Sequence, residues 1–340
     1  MLDSDFERRL IDALQPIRGL ALAQALHFAL HSDLWDLLGG GGQTVELAAK
    51  LDMSGDRLEV LLGYLANEGY LVRDDDGYRL STRGVELTTF APWYRLLVGG
   101  YSTTFQSMGD TLRAGAPYGS RNGTAVGQGS CGISAFDAIP LVRGLLARLP
   151  SSADHLVDLG CGDGTVLLEL ASTVPEARLV GVDPTPQSIV NARAAAEKSG
   201  VDAAFHEADA VAFVADKPKL AGTACYLTAF VLQEILEQRG RDAVVTLVRE
   251  VLASADEAYL AVVEVDWQIN NPAIMRHGLG LAYYNPYYLV HGLTEQRLED
   301  RDFWRRVAEE AGGRVVAVGE VDPAVDSTGL EFGYLIGPAR

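Results

Sequence analysis

The sequence predicts an α/β protein in two parts: a small helical N-terminal domain, and a larger domain built on a parallel sheet with helices on both faces. Three observations carry this. Apolar residues recur at helical spacing from Phe6 to Leu65. From residue 155 onward, β-rich runs alternate with helical ones, the pattern of strands joined by crossover helices. At 340 residues the chain exceeds one typical core and suits two domains.

The first stretch, 4–38, carries Phe6, Leu10, Leu14, Ile17 and Leu30 at helical spacing, with Pro16 expected to kink or split it. Glycines 39–42 end it. Helices are expected over 44–51 and from Ser54 through Leu65, followed by a strand, the turn Asp74-Asp-Asp-Gly77 and a second strand. Helix, helix, hairpin is a winged-helix order. The second helix offers Asp56, Arg57, Glu59 and Glu68, and the wing tip is three aspartates, so it is a poor reader of DNA phosphates. Its apolar helices suit a two-fold dimer interface instead. The expected division is 1–90 for this domain, 91–150 for a helical connector and 151–340 for the sheet domain. Within the connector, 93–112 reads as helix. The Gly- and Ser-rich stretch 114–134 reads as a loop covering a site, with Tyr101, Gln106, Gln128 and Ser130 able to close over a ligand.

The net charge of -18 argues against a nucleic-acid partner, because such binding rests on Lys and Arg neutralising phosphates. It fits solubility, and is compatible with a cationic or small neutral substrate. No apolar run is long enough to span a membrane, and Met1 to Glu7 lack the features of a signal peptide. Cys131, Cys161 and Cys225 are odd in number and widely spaced, which points to a reducing compartment, the cytoplasm.

In the sheet domain, strands are expected over 155–159, 178–183, 203–209, 223–230 and 259–265, with two more over 314–320 and 330–336. The most informative segment is Val157-Asp-Leu-Gly-Cys-Gly-Asp-Gly164. Three glycines follow an apolar strand and open a helix, which lets backbone turn tightly and approach a ligand closely. The spacing is G-x-G-x-G, since position 165 is Thr, whereas a dinucleotide fold asks for G-x-G-x-x-G. Asp158 lies in the strand before the glycines. Asp183 ends the next strand, where a carboxylate can accept two ribose hydroxyls. Asp209 ends the third, placed either to accept from an adenine amine or to cap a helix.

These residues resemble the class I S-adenosylmethionine-dependent methyltransferases, over about 155–230. The resemblance implies a Rossmann-like sheet of seven strands with one antiparallel strand at its edge. It also implies that Asp158 and Gly160, Gly162 and Gly164 hold the methionine part of the cofactor, Asp183 the ribose, and Asp209 and Ala210 the adenine. Thr228 and Phe230 would line the pocket near the sulfonium.

With its winged-helix N-domain the chain resembles, over nearly its whole length, the dimeric small-molecule methyltransferases. Many of these use a His shortly after the fourth strand to deprotonate a phenol. Here that place reads Val231-Leu-Gln-Glu-Ile235, and no His occurs between His206 and His277. The opening Phe6-Glu-Arg-Arg-Leu-Ile-Asp-Ala-Leu-Gln-Pro-Ile17 and Ala21-Leu-Ala-Gln-Ala-Leu-His27 is similar to the branch that C-methylates 2-keto acids, the 2-ketoarginine methyltransferases. That branch implies methylation at C3 of a 2-keto acid, 5-guanidino-2-oxopentanoate, within specialised-metabolite (antibiotic) biosynthesis. An aromatic O- or N-methyltransferase and a non-catalytic regulator that binds the cofactor are the alternatives.

C3 methylation needs a base and something to hold the carboxylate and stabilise an enolate. Glu234 and His291 are the candidates for catalysis and, as a divalent or iron site, for metal ligation; His277 is a weaker one. A guanidinium tail asks for carboxylates in fork geometry, and Glu234, Glu264 and Asp266 stand at strand ends where ligands bind. Gln233, Tyr288 (in the aromatic run from Tyr283) and Ser130 complete the substrate candidates, with Glu264 equally readable as a buried structural acid and Asp266 as a turn residue.

Overall fold

The fold is that of a computed structural model that describes residues 5–216 and 218–339. The chain forms two compact units. The first holds the residues up to Ser102 together with Asn122–Gly129, and the second holds Thr103–Arg121 and everything from Ser130 onward. The stretch 91–150 therefore contributes to both.

The first unit follows the expected order. Helices Phe6–Leu30, Asp33–Gly40, Thr44–Leu51 and Gly55–Asn67 precede an antiparallel hairpin, β1 (Leu71–Asp74) and β2 (Gly77–Leu80). Leu26, Leu34, Trp35, Leu38, Leu62 and Tyr78 make its core. The first helix runs through Pro16 and stops at Leu30, with Ser32 starting the next in an extended conformation. The split expected at Pro16 does not occur: around Pro16 the helix is wholly exposed, so the carbonyl that loses its N–H partner can turn to water.

The glycine-rich stretch is the larger departure. Residues 123–134 form a helix, Gly123–Ser134, rather than a covering loop. Its glycines allow close packing inside the first unit. A methyl at Gly129 would meet the backbone of Leu96 at 2.5 Å, and one at Gly100 would meet the Val126 side chain at 2.7 Å. Tertiary approach outweighs the poor helix propensity of glycine. The expected helix over 93–112 is instead a series of short pieces, including a wide turn of π type at Arg95–Gly99.

The second unit is a seven-stranded sheet in the order β5-β4-β3-β6-β7-β9-β8. These strands are β3 (His155–Leu159), β4 (Arg178–Asp183), β5 (Ala203–Glu207), β6 (Leu220–Ala229), β7 (Ala255–Val265), β8 (Gly313–Glu320) and β9 (Glu331–Pro338). β3 to β7 are parallel. β9 runs antiparallel to both neighbours, so the antiparallel strand lies one in from the edge and β8 forms the edge itself. Helices cover both faces over two apolar layers, one centred on Leu247, Val248, Leu260 and Phe332, the other on Leu145, Leu156, Leu167 and Ala261. The strand order reverses between β3 and β6. In open sheets of this kind ligands bind at the carboxyl ends beside that reversal, which here means the loops after Leu159 and Ala229.

Candidate active site

The loop after β3 needs its glycines for three separate reasons. All of Gly160, Gly162 and Gly164 have positive φ, which L side chains rarely adopt. A methyl at Gly160 would also fall on Val231, at Gly162 it would press on Cys131 Sγ at 3.3 Å, and at Gly164 on Ala192 and Phe205 at 3.1 Å. Gly160 and Cys161 donate their N–H groups to Val182 O. Asp183 draws the loop in: Oδ2 accepts from Gly162 N at 3.0 Å and Oδ1 from Thr185 N at 2.8 Å. Asp158 is buried in this setting, and among the described residues nothing donates a hydrogen bond to its carboxylate. Burial first, and the charge of Asp183 second, push it up to about 7.

Asp209 lies beyond β5, which ends at Glu207. It is the N-cap of the helix Ala210–Ala215, accepting from Ala212 N at 3.0 Å, and a bidentate partner of Arg239 at 2.9 and 2.7 Å. Helix capping therefore occupies the residue expected at the adenine. Ala210 is buried behind it.

At the end of β6, Thr228 is fully buried and its hydroxyl has no hydrogen-bond partner among the described residues. Phe230 takes a left-handed conformation, φ 59°, a strained state for a residue with a side chain. It is fixed by its N–H to Val263 O at 2.9 Å, and its own carbonyl accepts from Gln233 Nε2 at 3.3 Å. The next helix, Leu232–Arg239, begins on a side chain from the neighbouring strand: Glu264 Oε1 accepts from Leu232 N at 3.0 Å and Gln233 N at 3.4 Å. Glu264 is fully buried, which raises it to about 8, and its Oε2 is unpartnered among the described residues, as is Gln233 Oε1.

The helix start presents Glu234, whose Oε1 accepts from Arg121 Nη2 at 2.8 Å and Gln296 Nε2 at 3.2 Å. Arg121 was not among the residues singled out from the sequence. Its segment is strapped down by Gly119 N donating to Leu293 O at 2.8 Å and by a Tyr118–Glu237 hydrogen bond. The signal that could have found it is chemical: a keto acid needs a cation, and Arg121 is the basic residue of an otherwise Gly- and Ser-rich stretch. His291, buried on the helix Asn285–Leu293, is close enough to feel the Arg121 charge. Its Nδ1 bonds Tyr287 O at 2.7 Å and its ring stacks on Tyr287. With Nδ1 the donor to that carbonyl, Nε2 is the acceptor of a neutral imidazole. Burial lowers it to about 3.

The other expected substrate residues lie apart from this group. Asp266 accepts from Arg301 N at 3.1 Å and Gln268 Nε2 at 3.2 Å and pairs with the Arg301 side chain, so it anchors the segment after β7. Tyr288 is buried and donates its hydroxyl to Asp266 O, an internal strut. Ser130 lies inside the helix Gly123–Ser134, its carbonyl accepting from Ser134 Oγ. Tyr101 is buried and Gln128 bonds Arg95 within the first unit. No group of three or more His, Cys, Asp or Glu able to hold a metal occurs among the described residues. Glu234 faces a guanidinium, which would repel a metal ion, so the donor set does not fit the expected metal site.

A family model described as a methyltransferase domain matches residues 156–255. The chain is 48% identical over 337 residues, covering 98% of each protein, to a 2-ketoarginine methyltransferase of Streptomyces arginensis. It is 30% identical over 166 residues, 48% of this chain and 49% of the other, to an indolepyruvate C-methyltransferase of Streptomyces griseus. Among solved structures, the mitomycin 7-O-methyltransferase MmcR shares the fold with a TM-score of 0.71 and 19% identity over 98% of both chains.

The buried His291 yields a pH prediction. Its folded pKa lies below the ordinary 6.5, so the unfolded chain binds the extra proton. Stability from this group is present above that ordinary value and is lost as pH falls towards about 3. Ring-proton NMR should show His291 untitrated above about pH 5; a His291 midpoint near the ordinary imidazole value would contradict the buried, neutral ring.

Proposed function

The chain belongs to the family of 2-ketoarginine methyltransferase, S-adenosylmethionine-dependent enzymes, and from that premise we propose that it methylates C3 of 5-guanidino-2-oxopentanoate. S-adenosylmethionine is the methyl donor and supplies an electrophilic methyl group. The observation that carries the substrate reading is Arg121, held by Glu234 beside His291 at the carboxyl ends of the strands. A guanidinium binds a carboxylate in a fork, so Arg121 holds the carboxylate of the keto acid and Glu234 positions Arg121. Glu234 thereby moves from guanidinium reader to support. The full-length similarity to a 2-ketoarginine methyltransferase supports this substrate, and the indolepyruvate C-methyltransferase supports the 2-keto acid class.

His291 accepts the C3 proton through Nε2, its ring fixed by Tyr287. Arg121 is one of the charges that disfavour a protonated His291. A substrate carboxylate on Arg121 offsets that charge, so binding strengthens the base at the moment it is needed. Gln233 keeps an unpartnered buried acceptor beside this group.

The glycine loop fits the cofactor. Asp158 is a buried carboxylate that lacks a donor, a suitable partner for the ammonium of the methionine part, and the loop at Gly160, Gly162 and Gly164 lets that part approach the backbone. Asp183 takes the ribose. Ala210 and the capped Asp209 border the adenine, and Thr228 and Phe230 border the methyl group. The first unit serves as a dimerisation element, residues 1–90 in the main, with the catalytic unit following. Phe6, Leu10, Leu14 and Ile17 lie along one side of an exposed helix, each at least 42% accessible, and a second copy of the helix would cover them. No described helix is long and apolar enough to cross a membrane; with three unbridged cysteines, a cytoplasmic enzyme is the consistent setting.

Mass spectrometry of products from S-adenosylmethionine and a panel of 2-keto acids tests the activity. The guanidino keto acid should gain one methyl group in a C–C linkage stable to hydrolysis, and methylation on oxygen would overturn the proposal. Arg121→Ala should raise KM for every 2-keto acid by roughly tenfold to a hundredfold, the worth of a charged hydrogen bond. An unchanged KM would remove Arg121 as the carboxylate clamp. Because Asp158 must be ionised to meet an ammonium and sits at about 7, cofactor affinity should fall about tenfold per pH unit below that value. Asp158→Asn should flatten this dependence in calorimetric titrations; a slope that persists in the variant would assign it elsewhere. Light scattering should give a dimer that Leu14→Asp converts to monomer, whereas a monomeric parent would refute the dimer.

A further inference from the structure

A second group of carboxylates at the carboxyl end of the sheet takes no part in the chemistry above. Glu331 opens β9 directly opposite Val265, the last residue of β7. It is 4% exposed, and its Oε1 has no hydrogen-bond partner among the described residues. Asp137, 8% exposed, shares a hydrogen bond with Glu331 while its Oδ1 accepts from Ala138 N at 2.5 Å. Asp326 stands behind them, buried, accepting from the Tyr284 hydroxyl at 2.5 Å and from Thr328 N at 2.8 Å.

Charge makes this group unusual. The charges that bear most on Glu331 are Asp137, Asp326 and Glu264, all acids; Asp326 is the charge that adds to those effects on Asp137. Two carboxyl groups that share a hydrogen bond must hold a proton between them, and burial pushes both upward, Asp137 to about 6. An Asn could cap the helix Ala138–Leu146 as well as Asp137 does, so capping does not explain an acid there. Nor does an uncharged pocket explain the orphaned oxygen of Glu331, since a buried unpaired acceptor is costly. Both features are explained by a cationic donor that arrives with a ligand.

Resting on the reading of the substrate as a guanidino keto acid, we propose that Glu331 and Asp137 receive its guanidinium. The two ends of the substrate are then separated. Arg121 takes the carboxylate, and the tail is directed past Glu264 to the start of β9. Glu234, neutralised by Arg121, and Asp266, neutralised by Arg301, are not available for that task. The guanidinium keeps its own proton, because its pKa is far above neutrality. Its arrival ionises the acid pair instead: the proton shared by Asp137 and Glu331 leaves to the buffer, and two carboxylates face one cation. The other titratable groups at hand, Asp326, Glu264 and Tyr284, keep their partners.

The test compares the guanidino keto acid with 2-oxohexanoate, a 2-keto acid with an uncharged tail, on the holoenzyme with S-adenosylmethionine. Glu331→Gln and Asp137→Asn should each raise KM for the guanidino substrate by roughly tenfold to a hundredfold and leave kcat/KM for 2-oxohexanoate within about twofold. Calorimetry with S-adenosylhomocysteine bound, in buffers of different ionisation enthalpy, should record release of about one proton per guanidino ligand near pH 6. That release should be absent with 2-oxohexanoate and in Glu331→Gln. Equal losses on both substrates, or proton release that survives in Glu331→Gln, would overturn the assignment. Unchanged kinetics in both variants would do the same. Failure of the parent enzyme to methylate either keto acid would instead strike the underlying reading of the substrate.

Discussion

The arrangement of this site depends on one buried carboxylate. Glu264, next to the last residue of β7, takes the first N–H groups of the helix Leu232–Arg239 on a single oxygen. An acceptor from the next strand thus does what a local Ser or Asp does at most helix starts. The consequence is positional. The strand end, the strained Phe230 and the helix start are held in one register, so Gln233 faces inward and Glu234 meets Arg121. His291 then sits in the field of a guanidinium that Glu234 has anchored. Without Glu264 the helix could still form, but its first turn would have no fixed relation to the neighbouring strand.

The glycine loop follows the same logic on the other side of the strand-order reversal. Its three glycines answer to different neighbours, Val231, Cys131 and the pair Ala192 and Phe205. Val231 precedes the helix that Glu264 holds. The close approach of Gly160 to Val231 therefore links the loop after β3 to the helix after β6, and a side chain at 160 would push the two regions apart. Asp183 closes the arrangement from β4 by accepting from Gly162.

Much of this was legible in the sequence, and the reasons for the rest are physical. Strands β3 and β4 appear at their expected bounds because apolar runs closed by Gly and Asp leave little choice. β5 stops short because Asp209 caps a helix. The order of β8 and β9 was not legible, since periodicity identifies strands without saying which neighbours they pair. The helix Gly123–Ser134 was hidden because four glycines in twelve residues predict a loop, whereas close packing against Leu96 is what they serve. Arg121 was hidden for the same reason, in a stretch read for its composition. Glu264 and Asp266 were placed correctly at a strand end, yet sequence cannot distinguish a carboxylate that faces a ligand from one that holds a backbone.

That distinction has an energetic side. Asp158, Glu264 and the pair Asp137 and Glu331 all have pKa values raised by burial. A carboxyl group raised on folding stabilises the fold while it is protonated, and that contribution is lost as pH climbs from the ordinary carboxylate range through the raised value. At neutral pH these groups therefore weaken the unliganded protein, and His291 contributes in the opposite sense below its ordinary pKa. Glu264 is compensated by the two backbone N–H groups it accepts. Asp158 has no such donor, and Glu331 keeps an oxygen with none. Carboxylates left in that condition are stabilised when a cation arrives, and both proposed ligands bring one: the ammonium of the cofactor and the guanidinium of the keto acid. The unliganded fold is less stable than it could be at the places where binding restores the balance, so part of the binding energy goes to ionising acids that folding has already buried.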